Sequence, residues 1–142
     1  MQSGTGASGP APRVLVCDDM EPIRRLLRIN LELAGFTVEE AADGHEAMAR
    51  LIDPERPAPD VIVLDSEMAP YDGWWAIAAI RSHHRLDRVP VLLVTGSVVV
   101  HDAPEASGAG FDGFISKPFD PDELVAAVSR LAATGRAPRR RP

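Results

Sequence analysis

Val61-Ile62-Val63-Leu64 is the stretch that most constrains this chain. Four consecutive branched apolar residues bounded by turn formers read as a strand buried on both faces, the kind found in parallel sheets. Asp65 follows where the strand emerges, and Pro70, Asp72 and Gly73 mark a turn-rich loop beyond it. Open α/β sheets bind ligands outside the carboxyl ends of their strands. Asp65 is therefore either a turn cap or a working carboxylate, and the rest of the chain decides between the two.

The flanking sequence repeats one theme. Met1 to Pro12 is rich in Gly, Ser and Pro and reads as a flexible lead-in. Arg13 to Cys17 reads as a strand ending in Asp18-Asp19. Glu21-Pro22 opens a helix, with Ile23, Leu26, Leu27, Leu31 and Leu33 expected as its inner stripe and Arg24, Arg25, Arg28 and Glu32 outside. A second strand over 36–41 and a helix over 45–52 precede a loop with three prolines at 53–60. After the central strand come a helix from about 72 to 82, strands over 89–94 and 111–116, and a closing amphipathic helix over 120–131. Strand and helix alternation of this kind specifies a parallel sheet with helices on both faces, a doubly wound α/β domain over residues 13–131. The connection over 97–110 combines Val98-Val99-Val100 with Pro104, Gly108 and Gly110 and supports only a short or mobile helix. The tail over 132–142 holds four arginines among Gly and Pro and reads as solvated chain.

The polar residues that matter fall at one end of successive strands. Asp18 and Asp19 follow the first strand, Asp65 the third, Thr95 the fourth and Lys117 the fifth. In a parallel sheet these ends share an edge, so the five side chains can converge on one pocket. Three neighbouring carboxylates repel one another unless a cation neutralises them. Mg²⁺ suits such a set, because it takes one or two carboxylates, waters and a phosphate. Lys117 supplies a point charge and Thr95 a hydroxyl for phosphoryl oxygens. The chemistry these parts describe is phosphoryl transfer onto Asp65.

With these residues in place, the chain resembles the receiver domain of two-component response regulators, over about Arg13 to Leu131. The resemblance implies a five-stranded, flavodoxin-like (βα)5 sheet in strand order 2-1-3-4-5. It makes Asp65 the phosphoacceptor, and Asp18, Asp19, Asp65 and the main-chain carbonyl of Glu67 the Mg²⁺ site. Thr95 and Phe114 become the switch pair, and Lys117 the phosphoryl-stabilising lysine that precedes a cis bond to Pro118. It implies a histidine kinase or histidine phosphotransfer protein as donor, met by the first helix around Arg24, Arg25 and Arg28. It also implies a signalling domain that catalyses only its own phosphorylation and dephosphorylation. The chain departs from the family pattern in carrying Pro70 one place late, and in having Phe114 where tyrosine is commoner. Glu67 and Ser97 occupy positions that resemble the family's rate-tuning sites.

The remaining features bound the function. A formal net charge of -6 argues against broad binding to nucleic acid or anionic membranes. The single cysteine, Cys17, lies in a strand and reads as an inert buried thiol. No secretory leader or spanning segment is apparent, which points to the cytoplasm. The expectation is thus a single-domain receiver with no DNA-binding domain and no membrane partner, its output partner and oligomeric state left open. A fragment of a hybrid kinase or longer regulator, or a phosphorylation-independent pseudo-receiver, are the alternatives. Trp74 and Trp75 open the third helix, where Trp74 shares the side of Ile77 and Ile80 and Trp75 points outward as a candidate interface anchor. The histidines, His45 among them, show no ligand spacing.

Overall fold

The structure, a computed structural model, describes residues 11–68, 71–96 and 107–136. Five parallel strands form one sheet: β1 (Arg13–Cys17), β2 (Thr37–Ala41), β3 (Val61–Asp65), β4 (Val91–Thr95) and β5 (Gly113–Ser116). Their spatial order is β2-β1-β3-β4-β5. Register is continuous across the centre, with Cys17 beside Leu64, Asp65 beside Val94 and Thr95 beside Ser116. The carboxyl ends of four strands therefore stand level. Four helices connect and close the sheet: α1 (Glu21–Leu33), α2 (Gly44–Leu51), α3 (Gly73–Arg81) and α4 (Pro121–Thr134). Residues 107–109 form a further helical turn. This is the doubly wound, flavodoxin-like fold expected from the strand pattern.

Side-chain alternation along the strands divides the core into two layers. Val14, Val16, Val61, Val63, Leu92 and Val94 point toward α1 and α4, where Leu27, Leu31, Leu124 and Val128 meet them. Leu15, Cys17, Ile62, Leu64, Val91 and Leu93 point the other way, onto Ala47, Met48, Leu51, Ala76, Ile77 and Ile80 of α2 and α3. The central strands are buried at every position, which is why their sequences are uninterrupted apolar runs. Helix starts are fixed locally. The side chain of Asp43 accepts a hydrogen bond from the Glu46 N–H at 2.8 Å, and Asp72 accepts one from the Trp75 N–H at 2.8 Å. Pro22 and Pro121 occupy first-turn positions of α1 and α4, where a missing N–H does no harm.

Three expectations need amending. Leu26 and Leu33 do not join the core of α1: Leu27 and Leu31 are buried, whereas Leu33 is 82 % exposed. The helix holds more apolar residues than one face can bury, and Leu33 lies about 200° round the helix from Leu31. The last helix runs on to Thr134, and Arg136 beyond it is pinned rather than solvated. The Arg136 Nε donates to Asp112 Oδ1 at 2.9 Å, and its main-chain N–H to the Arg88 carbonyl at 3.2 Å. Asp112 also accepts from Arg81 at 3.0 Å and from the Val91 N–H at 2.8 Å. Burial, with Arg136 adding to it, pushes the Arg81 guanidinium down to about 10. Most of the connection over 97–110, together with Ala69 and the late Pro70, lies outside the described residues.

Candidate functional site

Asp65 is the last residue of β3 and is 3 % exposed. Its Oδ1 lies 3.2 Å from Lys117 Nζ and accepts a hydrogen bond from the Glu67 N–H at 3.1 Å. The loop beyond it folds back tightly: a Cβ on Gly73 would stand 2.6 Å from the Asp65 carbonyl oxygen, so only glycine starts α3 at this distance. Asp18, one residue past β1, is equally buried. Its Oδ1 accepts from the Met20 N–H at 2.9 Å. Its buried Oδ2 has no hydrogen-bond partner among the described residues and faces Lys117 Nζ at 3.7 Å. Asp19 is exposed at the mouth of the pocket. Carboxylate oxygens of Asp18, Asp19 and Asp65 lie within 4.8 Å of one another.

Lys117 follows β5 and is placed by its own main chain, whose N–H donates to the Thr95 carbonyl at 2.7 Å. Thr95 is buried at the end of β4. The Lys117-Pro118 bond is cis. Asp18, Asp65, Thr95 and Lys117 are thus gathered at one sheet edge, with Asp19 and Glu67 at its rim. Phe114 sits in the edge strand β5 and is 43 % exposed. Trp75 belongs to α3 and is 40 % exposed, but Trp74, expected on the inner side with Ile77 and Ile80, is 37 % exposed as well, because the first turn of α3 projects past the edge of the core. Trp74 sets its ring edge-on to Phe111, with centroids 5.4 Å apart.

The electrostatics follow from burial. Loss of water, reinforced by the Asp18 charge, raises the Asp65 carboxyl from 3.8 to about 6, against the opposing pull of the Glu67 N–H and Lys117. Burial likewise pushes the Cys17 thiol well above its usual range, with Asp43 adding to it. That thiol lies beneath the pocket, 3.3 Å from the sulfur of Met68. Its burial makes it inert, in keeping with its reading from sequence.

One residue at the site was not singled out by its sequence. Arg24 is not a solvated helix side chain: its Nη1 donates to the Asp18 carbonyl at 2.7 Å and its Nε to Glu40 Oε1 at 2.7 Å. Arg28 grips the other oxygen of Glu40 at 2.7 Å, and the Arg28 hydrogen bond, helped by Arg24, holds Glu40 below the usual carboxylate range. Arg24 looks like Arg25 and Arg28 in the sequence; only the return of β2 beside β1 brings Glu40 to it.

Comparison with known proteins agrees with this geometry. The family model of the response regulator receiver domain matches residues 14–129. The chain belongs to the response regulator receiver domain family. Among curated relatives of this receiver, RpaA of Synechocystis, a DNA-binding dual master transcriptional regulator, is 35 % identical over 120 residues, 84 % of this chain and 48 % of RpaA. The transcriptional regulatory protein PrrA of Mycobacterium leprae is 39 % identical over 127 residues, 89 % of this chain and 52 % of PrrA. The receiver therefore spans about half the length of these relatives. Among solved structures, the chemotaxis response regulator CheY4 of Vibrio cholerae superposes with a TM-score of 0.77 at 31 % identity, covering 85 % of this chain and 98 % of that one. A Francisella response regulator receiver domain gives 0.78 at 31 % identity, covering 86 % and 97 %.

These relatives correct one expectation, that a chain of this kind works without a DNA-binding domain. RpaA is a DNA-binding regulator, and it carries a receiver like this one within a chain about twice the matched length. The receiver's residues could not reveal this, because the acidic pocket and its sheet serve the fold identically with or without an attached output domain. No helix among the described residues is long and apolar enough to cross a membrane.

Proposed function

We propose that this receiver is a Mg²⁺-dependent phosphorylation switch of the cytoplasm, in which Asp65 takes a phosphoryl group from a phosphohistidine on a histidine kinase or phosphotransfer protein. The observation that carries the reading is the Asp18–Asp65–Lys117 cluster, two buried carboxylates beside one half-buried ammonium at the level ends of three strands. Asp65 Oδ1 is already held by Lys117 and the Glu67 N–H, which leaves Oδ2 as the oxygen offered to phosphorus. In-line transfer forms the bond from that oxygen to phosphorus and breaks the phosphorus–nitrogen bond of the donor. The imidazole nitrogen departs with the electron pair.

The residues present fit a hard divalent cation. Asp18 Oδ2 is buried with no hydrogen-bond partner among the described residues and with Lys117 Nζ 3.7 Å away, and one ammonium among three carboxylates close enough to share an ion leaves excess negative charge for a cation to neutralise. Asp18, Asp19, Asp65 and the Glu67 carbonyl would hold it, and when bound it neutralises the pocket and the phosphoryl oxygens. Lys117 and the Thr95 hydroxyl hold the added oxygens. A phosphoryl group brings about -1.5 to -2 charge, and the pull on Thr95 and Lys117 biases half-exposed Phe114 between outward and inward positions. Beyond these steps on its own aspartate the receiver performs no catalysis. The test is to incubate the protein with Mg²⁺ and acetyl phosphate and weigh it. Wild type gains a phosphoryl group and Asp65→Asn gains none; equal gain in both, or none in either, refutes the assignment.

The length of the relatives favours a second reading of context, in which the receiver is the regulated input of a longer transcription regulator. The demands on Asp65 are the same. A longer partner chain changes what reads the switch, not how it is set.

A further inference from the structure

Three aromatic rings form an exposed ladder beside the pocket. The centroids of Tyr71 and Trp75 are 4.6 Å apart, and those of His45 and Tyr71 5.5 Å apart. All three side chains are exposed, and Trp75 is 40 % exposed. None of the interactions of Asp65, Asp18 or Lys117 described above involves them. The ladder joins two helix starts. His45 lies in the first turn of α2 and Trp75 in the first turn of α3, with Tyr71 on the loop before it.

The backbone that carries the rings is held by hydrogen bonds. The Gly44 N–H donates to the Tyr71 carbonyl at 3.0 Å, and the Trp75 N–H to Asp72 at 2.8 Å. A Cβ on Gly44 would stand 2.8 Å from the Tyr71 carbonyl oxygen and 3.1 Å from the Trp75 ring. Glycine is needed there for the two helix starts to approach closely enough to bring the tilted rings into contact. A preorganised aromatic surface loses little freedom when it binds.

The charge around the ladder selects the partner. Asp43 and Glu46 flank His45 in α2, and Asp72 separates Tyr71 from the start of α3. The two helix starts bring roughly half a positive charge each, and Arg50 pairs with Glu46 at 3.4 Å. Three carboxylates outweigh both. Exposed π faces rimmed by net negative charge suit a cation that can stack flat, and the planar guanidinium does so better than a compact ammonium.

We propose that His45, Tyr71 and Trp75 form a docking surface for a protein segment that presents arginine side chains, with Trp75 as its anchor. The surface lies on the α2–α3 side of the sheet, opposite the α1 side where a phosphohistidine donor is expected. Its binding does not require phosphorylation of Asp65.

The test titrates the full-length protein with hexa-arginine and, separately, hexa-lysine, following the Trp75 indole N–H by nuclear magnetic resonance. Hexa-arginine shifts that resonance and binds about two- to fivefold more tightly than hexa-lysine. Trp75→Ala removes the preference for arginine, and Trp75→Phe retains most of it. Should Trp75→Ala fail to fold, Tyr71→Leu serves in its place with the same expected loss. Equal binding of the two peptides, or an arginine preference that survives loss of Trp75 or Tyr71, overturns the proposal. So do shifts confined to residues around Asp18 and Asp65.

Discussion

The guanidinium of Arg24 is bonded to the main chain of Asp18: Nη1 donates to the Asp18 carbonyl oxygen at 2.7 Å, while Nε engages Glu40. The arginine thereby fixes the backbone from which a buried carboxylate projects. Charged hydrogen bonds of this kind contribute about 1.5–3 kcal/mol. Arg24→Ala is expected to destabilise the fold by that order, measured by urea unfolding, and to weaken Mg²⁺ binding without altering any carboxylate. Arg25→Ala, whose side chain only pairs with exposed Glu21 on the same helix, changes stability by under about 0.5 kcal/mol.

Acid stability carries the signature of Asp65. Its folded-state value of about 6 lies above its unfolded value of 3.8, so the folded protein binds this proton more tightly. The favourable contribution is complete below pH 3.8 and is lost as pH rises through about 6. With Mg²⁺ removed by a chelator, Asp65→Asn is expected to be more stable than wild type at pH 7.5 by about 1–3 kcal/mol. The advantage shrinks as pH falls from 6 toward 4. Parallel unfolding curves of the two proteins across that range check the sign.

Mg²⁺ itself acts as a stabiliser on the proposed reading. At ten times its Kd a ligand adds about 1.4 kcal/mol, which for a domain of this size raises the melting temperature by about 5 °C. Calorimetry with and without Mg²⁺ reads this directly. Asp18→Asn removes the response, because it converts a buried carboxylate of the acidic cluster into a neutral amide.

Two leucines on α1, two residues apart, should behave in opposite ways. Leu31→Ala empties a fully buried site and costs about 2–5 kcal/mol. Leu33→Glu alters a side chain already in water and changes stability by under about 0.5 kcal/mol. Denaturant midpoints of the two variants test the register of the helix.

That pair also shows where the sequence ceases to be legible. The buried strands were readable because burial on both faces leaves a continuous apolar run, as in Val61 to Leu64. Asp18, Asp65 and Lys117 were readable because strand ends share an edge whatever the details of packing. Leu33 was misplaced because composition does not say which of two apolar stripes a helix will bury. Arg136 reads as solvated tail in the sequence because its partner, Asp112, is made available only by the pairing of β5 with β4. The ring contact of His45 with Tyr71 is not legible because the two are remote in sequence and are brought close by the Gly44–Tyr71 hydrogen bond. Long-range polar and aromatic contacts leave no local periodicity to detect.

Arg136 is clasped by Asp112 and the Arg88 carbonyl at the amino-terminal ends of β4 and β5, whereas the acidic pocket lies at their carboxyl ends. Five strand residues, about 16 Å of sheet, separate the two poles. On the proposed reading, a phosphodonor seated at the pocket would leave the Arg136 pole of the domain uncovered.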